Sequence, residues 1–183
     1  MNQKLSMEQL GRMSQAEFKD AEKIPVVVIL ENIRSGLNVG SIFRSADAFR
    51  LKGIFCVGYT PTPPHREVLK SALGATETVD WEHREETLTL IADLKAAGFK
   101  CYSIEQASNS IELHDFHPSG PIALVLGNEV DGVDQATIEA CDGVIEIAQH
   151  GTKHSLNVAV CGGIVLYDLF GKIKSNNKRV SYH

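Results

Sequence analysis

Apolar positions along the chain fall into alternating runs of two kinds. The segment "IPVVVIL" (24–30) is β-branched and bounded by polar residues, the pattern of a buried strand. Val39, Ile42, Phe43, Ala46 and Phe49 then recur at helical spacing, with Ser41, Arg44, Ser45 and Asp47 on the other side, which predicts an amphipathic helix over 39–50. The alternation continues with "GIFCVGY" as strand, "REVLKSAL" as short helix, "ETVDW" as short strand and "EETLTLIADLKAAG" as a helix stopped by Gly98. "FKCYSI", "IALVLG" and "GVIEIA" read as strands, with "DQATIEAC" as a short helix between the last two and a long helix from about Ser155 closing the domain. The stretch "EQASNSIELHDFHPSGP" (105–121) reads as an irregular excursion.

Strands alternating with helices predict an α/β domain with a mostly parallel sheet and helices on both faces. Ligands of such sheets gather beyond the carboxyl ends of the strands. The expected organisation is a short helical extension (1–23), one domain (24–174) and a basic C-terminal tail (175–183). A length of 183 residues suits a single core.

Composition narrows the partners. With 43% hydrophobic and 22% charged residues and no apolar run of ~18 residues, nothing predicts a membrane span. The start "MNQKLSMEQLGRMSQAEFKD" lacks the apolar core of a signal peptide, so a cytoplasmic location is expected. Cys56, Cys101, Cys141 and Cys161 form no C-x-x-C pair, so free thiols are expected, with neither a zinc knuckle nor a redox motif. A net charge of −5 opposes nucleic-acid binding by bulk electrostatics. Two local basic clusters remain, Lys172, Lys174, Lys178 and Arg179 near the C-terminus and His65, Arg66 and Lys70 in "PPHREVLKSALGA", and a solvated surface would produce either one.

Three polar clusters fall where strands end: "ENIRSGLNVGSIFRSADAF", "LVLGNEVDGV" and "IAQHGTKHSLNVAV". In the first, Gly36 and Gly40 permit close backbone approach, Asn38 is placed to cap the helix, and Arg44 projects away from the apolar stripe toward an anion or a surface partner such as Asp47. In the second, Gly127 and Gly132 bracket Asn128 and Glu129, whose carboxylate suits either a ligand or the start of the following helix. In the third, Thr152 or Ser155 is a candidate cap, and His150 and His154 are four apart without the further ligands a metal site needs. No metal is expected. Neither G-x-G-x-x-G after the first strand nor G-x-x-x-x-G-K-[ST] occurs, so the common glycine-rich phosphate cradles are absent.

Together these stretches resemble the three motifs of the SpoU (TrmH) family of RNA ribose methyltransferases in the SPOUT class. "NVGSIFRSADAF" matches the first motif, "LGNEVDG" the second and "SLNVAV" the third, in the family's order over nearly the whole chain after the N-terminal segment. The resemblance implies a C-terminal deep trefoil knot, S-adenosylmethionine as cofactor, a homodimer with a shared active site, and methyl transfer to a ribose 2′-hydroxyl of RNA. A tRNA target is preferred over rRNA, since only short segments flank the core; no membrane or DNA partner is expected.

Carried over by position, the resemblance assigns Asn38, Arg44, Glu129, Ser155 and Asn157 to the catalytic site and Ile104, Gly127, Ile147 and Leu156 to the cofactor loops, the latter largely through backbone groups. It implies that Arg44 of one subunit serves a site completed by the other. A guanidinium with a pKa above ~12 is a poor base, so Arg44 is expected to bind a substrate phosphate that receives the proton. Asn38 would position Arg44 or the ribose, Glu129 would hold the hydrogen-bond network, and Ser155 and Asn157 would order the cofactor loop. The chain departs from the family at Ile147, Ala148 and Gln149, where many relatives carry Ile-Pro-Met. Losing that proline softens the loop, while contacts made to backbone should survive. The competing expectations are a non-catalytic RNA-binding module of the same fold and a metabolite-binding α/β protein, which the acidic net charge favours.

Overall fold

The computed structural model describes residues 2–6 and 8–180, with the side chains of 176–180 left aside. Lys178, Arg179 and residues 181–183 of the expected basic tail therefore lie outside the described side chains.

Seven strands form one sheet in the order β3-β2-β1-β6-β4-β7-β5: β1 (Ile24–Glu31), β2 (Leu51–Val57), β3 (Trp81–Arg84), β4 (Lys100–Ile104), β5 (Ile111–Glu112), β6 (Ile122–Leu126) and β7 (Gly143–Glu146). Every pairing of neighbours is parallel. The helices are α1 (Gln15–Asp20), α2 (Gly36–Ala48), α3 (Arg66–Ala72), α4 (Ala75–Thr78), α5 (Thr87–Ala96), α6 (Gln135–Ala140) and α7 (Val158–Val180).

Alternation along the central strands divides the core between the two faces. Val26, Val28 and Leu30 of β1 join Ile122, Leu124 and Leu126 of β6 in one cluster with Val39, Ile42 and Phe43 of α2, Val68 of α3 and Val165, Leu166 and Leu169 of α7. Val27 and Ile29 join Ala123 and Val125 on the other face, against Leu90, Ile91 and Leu94 of α5, with Ile138 of α6 packed alongside. Burial on both faces explains why these strands read as unbroken apolar runs. The helices thus cover both faces, as the alternation predicts.

One expectation needs correction and two gain detail. "ETVDW" was expected as strand, but Leu73 (φ 49°) and Gly74 (φ 92°) turn the chain into α4, and the strand begins at Trp81. That edge strand is largely exposed, so it lacks the apolar signature of its inner neighbours. The 105–121 excursion contains the opposite edge strand β5, and it sends Leu113 and Phe116 into the core, where Phe116 meets Tyr102 edge-on at 4.8 Å. Helix α7 starts at Val158 and runs through the boundary expected at 174/175.

Two helices lie unusually close. A Cβ at Gly40 on α2 would stand 2.3 Å from the Val68 carbonyl oxygen of α3, so this position requires glycine. Among the described residues, no helix is long and apolar enough to cross a membrane.

Candidate active site

The carboxyl end of β1 leads directly into the site. Ile33 N–H donates to Thr60 Oγ1 at 2.9 Å, and that hydroxyl donates to the Leu30 carbonyl at 2.8 Å, pinning the β1–α2 turn to the loop after β2. From this turn Arg34 N–H and Ser35 N–H donate to the Glu129 carboxylate at 2.9 and 3.1 Å. Ser35 caps α2, its hydroxyl accepting from Asn38 N–H at 3.4 Å. Asn38 is therefore not the cap. Its side-chain amide instead donates to Glu129 Oε1 at 2.8 Å.

The network extends to the third cluster. Asn157 Nδ2 donates to Asn38 Oδ1 at 3.1 Å, and Asn157 Oδ1 accepts from Ala159 and Val160 N–H at 2.9 and 3.2 Å. Asn157 therefore caps α7, the role expected of Thr152 or Ser155. Glu129 also sits differently from its sequence context: it serves the start of α2, not the helix that follows it. The start of α6 is met by buried Glu31, which accepts from Asp134 N–H and the Thr137 hydroxyl.

Glu129 is tuned by these contacts. Burial disfavours its charged form, but the hydrogen bonds from Arg34, Asn38 and Ser35 outweigh that cost and hold its pKa below the ordinary 4.5. It is thus an anchored anion at neutral pH.

Beside the network lies a cleft of about 420 Å³ bounded by the loops after β4, β6 and β7. Ile104, Gly127, Ile147, Leu156, Ser155 and Glu129 all line it. A Cβ at Gly127 would stand 2.2 Å from the Gly132 carbonyl carbon, so a side chain there would force two backbone segments apart. Glu105, Asp131 and Glu146 add carboxylates to the wall, a lining that favours a cationic ligand. Cys161 also lines the cleft, but burial, with Glu105 nearby, pushes its thiol up to about 11, so it is protonated and unreactive at neutral pH. Among the described residues, no group of His, Cys, Asp or Glu is arranged to hold a metal ion.

Arg44 stands apart. It is exposed on α2, six residues or ~9 Å along the helix from Asn38, and lines no part of the cleft. Asp47, its candidate ion-pair partner, accepts instead from the Thr78 hydroxyl. No salt bridge engages Arg44 among the described residues.

Two contributors escape the three motif assignments. Asn128 is buried, donating to the Asn32 carbonyl at 2.8 Å and the Tyr59 hydroxyl at 2.7 Å while its Oδ1 accepts from Val130 and Asp131 N–H. Its bracketing glycines were the available signal. Glu105 accepts from Val133 and Gln106 N–H, and Gln106 in turn holds the His154 carbonyl at 2.7 Å. As the first residue of a stretch that reads as irregular, Glu105 carried no such signal.

The profile of the SpoU rRNA Methylase family matches residues 25–167. The chain belongs to the SpoU family. One relative, a Staphylococcus haemolyticus protein named for the TrmH family of tRNA/rRNA methyltransferases, is 30% identical over 154 residues, covering 84% of this chain and 61% of its own. Against solved structures, the SpoU fold here aligns with an A. aeolicus TrmH/SpoU tRNA modifying enzyme at a TM-score of 0.79 and 23% identity, over 89% of this chain and 82% of that one. An AdoMet-bound rRNA methyltransferase from Sinorhizobium meliloti aligns at a TM-score of 0.74 and 27% identity, over 82% and 58%. This SpoU chain spans about three-fifths of the length of the curated relatives it matches.

Proposed function

We propose that this SpoU chain transfers a methyl group from S-adenosylmethionine to a ribose 2′-hydroxyl of RNA, with tRNA preferred over rRNA. One observation carries the reading: Glu129, Asn38 and Asn157, from three clusters far apart in sequence, form one hydrogen-bonded chain at the rim of a cleft. Relatives and neighbours named for tRNA and for rRNA both match the chain, so the labelling experiment below decides the tRNA part of the proposal.

The cleft fits the cofactor. Its volume falls in the ~300–1,000 Å³ range of small-molecule sites, and its carboxylates complement a ligand carrying sulfonium and ammonium charges. Ile104, Gly127, Ile147 and Leu156 would hold it, with Ser155 at the edge. Bound there, S-adenosylmethionine supplies a methyl group on a cationic sulfur that departs as a neutral thioether. Arg44 would hold a substrate phosphate whose oxygen would accept the proton leaving the ribose 2′-hydroxyl. Glu129 keeps Asn38 oriented, and Asn157 orders the start of α7 beside the cofactor loop.

Arg44 reaches a site by dimerisation. Its exposure, and the absence of an ion-pair partner among the described residues, support a role in the active site of a second copy. Val160, Ile164 and Tyr167 form an exposed apolar row on α7, which packs against α2, and this is the surface we assign to the homodimer. The trefoil knot that the family resemblance implies belongs to the same proposal.

Labelled methyl transfer to tRNA and rRNA from cells lacking this protein tests the reading. A 2′-O-methylated nucleoside in tRNA is expected. Incorporation into a base, or none despite cofactor binding, would refute it.

A further inference from the structure

We propose that the loop between β2 and α3 (58–65) is the RNA-docking lip of the site, with Tyr59 as the platform on which an unpaired base stacks. This rests on the reading of RNA as substrate.

Tyr59 is 62% exposed, yet it is held at both ends. Its N–H donates to Asn32 Oδ1 at 3.4 Å, and its hydroxyl accepts from Asn128 Nδ2 at 2.7 Å. The next residue, Thr60, is buried and anchors the β1–α2 turn. Such a ring has little conformational freedom left to lose, and its exposed area remains available for stacking. The residue that tethers it, Asn128, immediately precedes Glu129, so the platform is registered directly to the network that Asn38 and Asn157 share.

The surroundings select the partner. Exposed Arg34 shares the Glu129 contact through its backbone, and His65 Nδ1 lies 2.9 Å from where a Cβ on Gly36 would stand, at the start of α2. Arg66 follows His65 and is exposed as well, and the carboxylates of Glu67 and Glu129 lie at the start of α2 beside them. No salt bridge engages Arg34, His65 or Arg66 among the described residues. An immobilised aromatic near the Arg34 and Arg66 guanidinium groups, neither of which makes a salt bridge among the described residues, suits an unstacked nucleotide, whose base needs a flat face and whose phosphates need positive charge. A protein partner is better served by the apolar row on α7, on a different element.

The test compares Tyr59→Leu and Tyr59→Phe with wild type. RNA affinity is measured by anisotropy at fixed salt on tRNA and rRNA from cells lacking the protein, alongside cofactor affinity and sedimentation. Tyr59→Leu should weaken RNA binding roughly tenfold and raise KM for RNA more than it lowers kcat. Tyr59→Phe, which keeps the ring and loses only the Asn128 bond, should stay within about twofold of wild type. Cofactor affinity and oligomeric state should not change in either. Equal losses in Leu and Phe would mean that only the hydroxyl tether matters, and a changed oligomeric state at unaltered RNA affinity would assign the ring to a protein contact; either overturns the proposal. Wild type that binds neither RNA pool refutes the RNA reading and this proposal with it, whereas binding that survives intact in Tyr59→Leu refutes this proposal alone.

Discussion

Asn157 Nδ2 donates to Asn38 Oδ1 across 119 positions of sequence, while the opposite side of the same amide caps α7. Asn157→Ala removes both functions and should cost about 1 kcal/mol for the cap, lowering Tm by about 2–4 °C in a chain of this size. Asn157→Asp keeps the capping oxygen but turns a second acceptor toward Asn38 Oδ1. It should retain most of the lost stability while losing methyl transfer. Thermal melts run beside activity assays separate the two roles.

Glu129 makes stability depend on acid. Its folded pKa lies below the ordinary 4.5, so the stabilisation is fully present above about 4.5 and is lost as pH falls through the depressed folded value. Glu129→Gln carries no such charge. Urea unfolding from pH 7 downward should show a gap between wild type and Glu129→Gln that is constant at neutral pH and narrows below 4.5. A gap independent of pH would contradict an ionised anchor.

Gly127→Ala should destabilise the chain by about 1–3 kcal/mol, the usual range for overpacking, since its Cβ would meet the backbone of Gly132 and Val133. Because the displaced loop lines the cleft, cofactor affinity should fall in the same variant. Calorimetry at a temperature where the protein remains folded distinguishes this from unfolding.

Arg44→Ala should abolish methyl transfer with Tm and cofactor affinity unchanged, because the side chain makes no ion pair among the described residues and lines no part of the cleft. Near wild-type transfer by this variant would remove Arg44 from the reaction.

Ile164→Glu should yield monomers in sedimentation and inactivate the protein if sites are shared. Mixing it with Arg44→Ala is a control in which no activity should appear unless mixed dimers form.

The chain's own pattern determined the layered fold. Runs such as Val26–Leu30 and Ile122–Leu126, short, rich in β-branched and aliphatic residues and bounded by polar ones, read as strands buried on both faces, and the 39–50 periodicity reads as a helix with one apolar face to lay on them. The motif residues were equally legible, because helix starts and strand ends concentrate glycine and hydrogen-bonding side chains. Pairing was not. Nothing local in "GNEVDG" says that Glu129 will serve the start of α2, that Glu31 will serve α6, or that Asn157 will reach Asn38. Those partners are chosen by the strand order, which sets β6 beside β1 and so brings loops about 90 residues apart within 3 Å. Propensity acts over a few residues, whereas hydrogen bonds between loops are selected only once the sheet has closed. The position of Glu105, the tether on Tyr59 and the isolation of Arg44 belong to that second level.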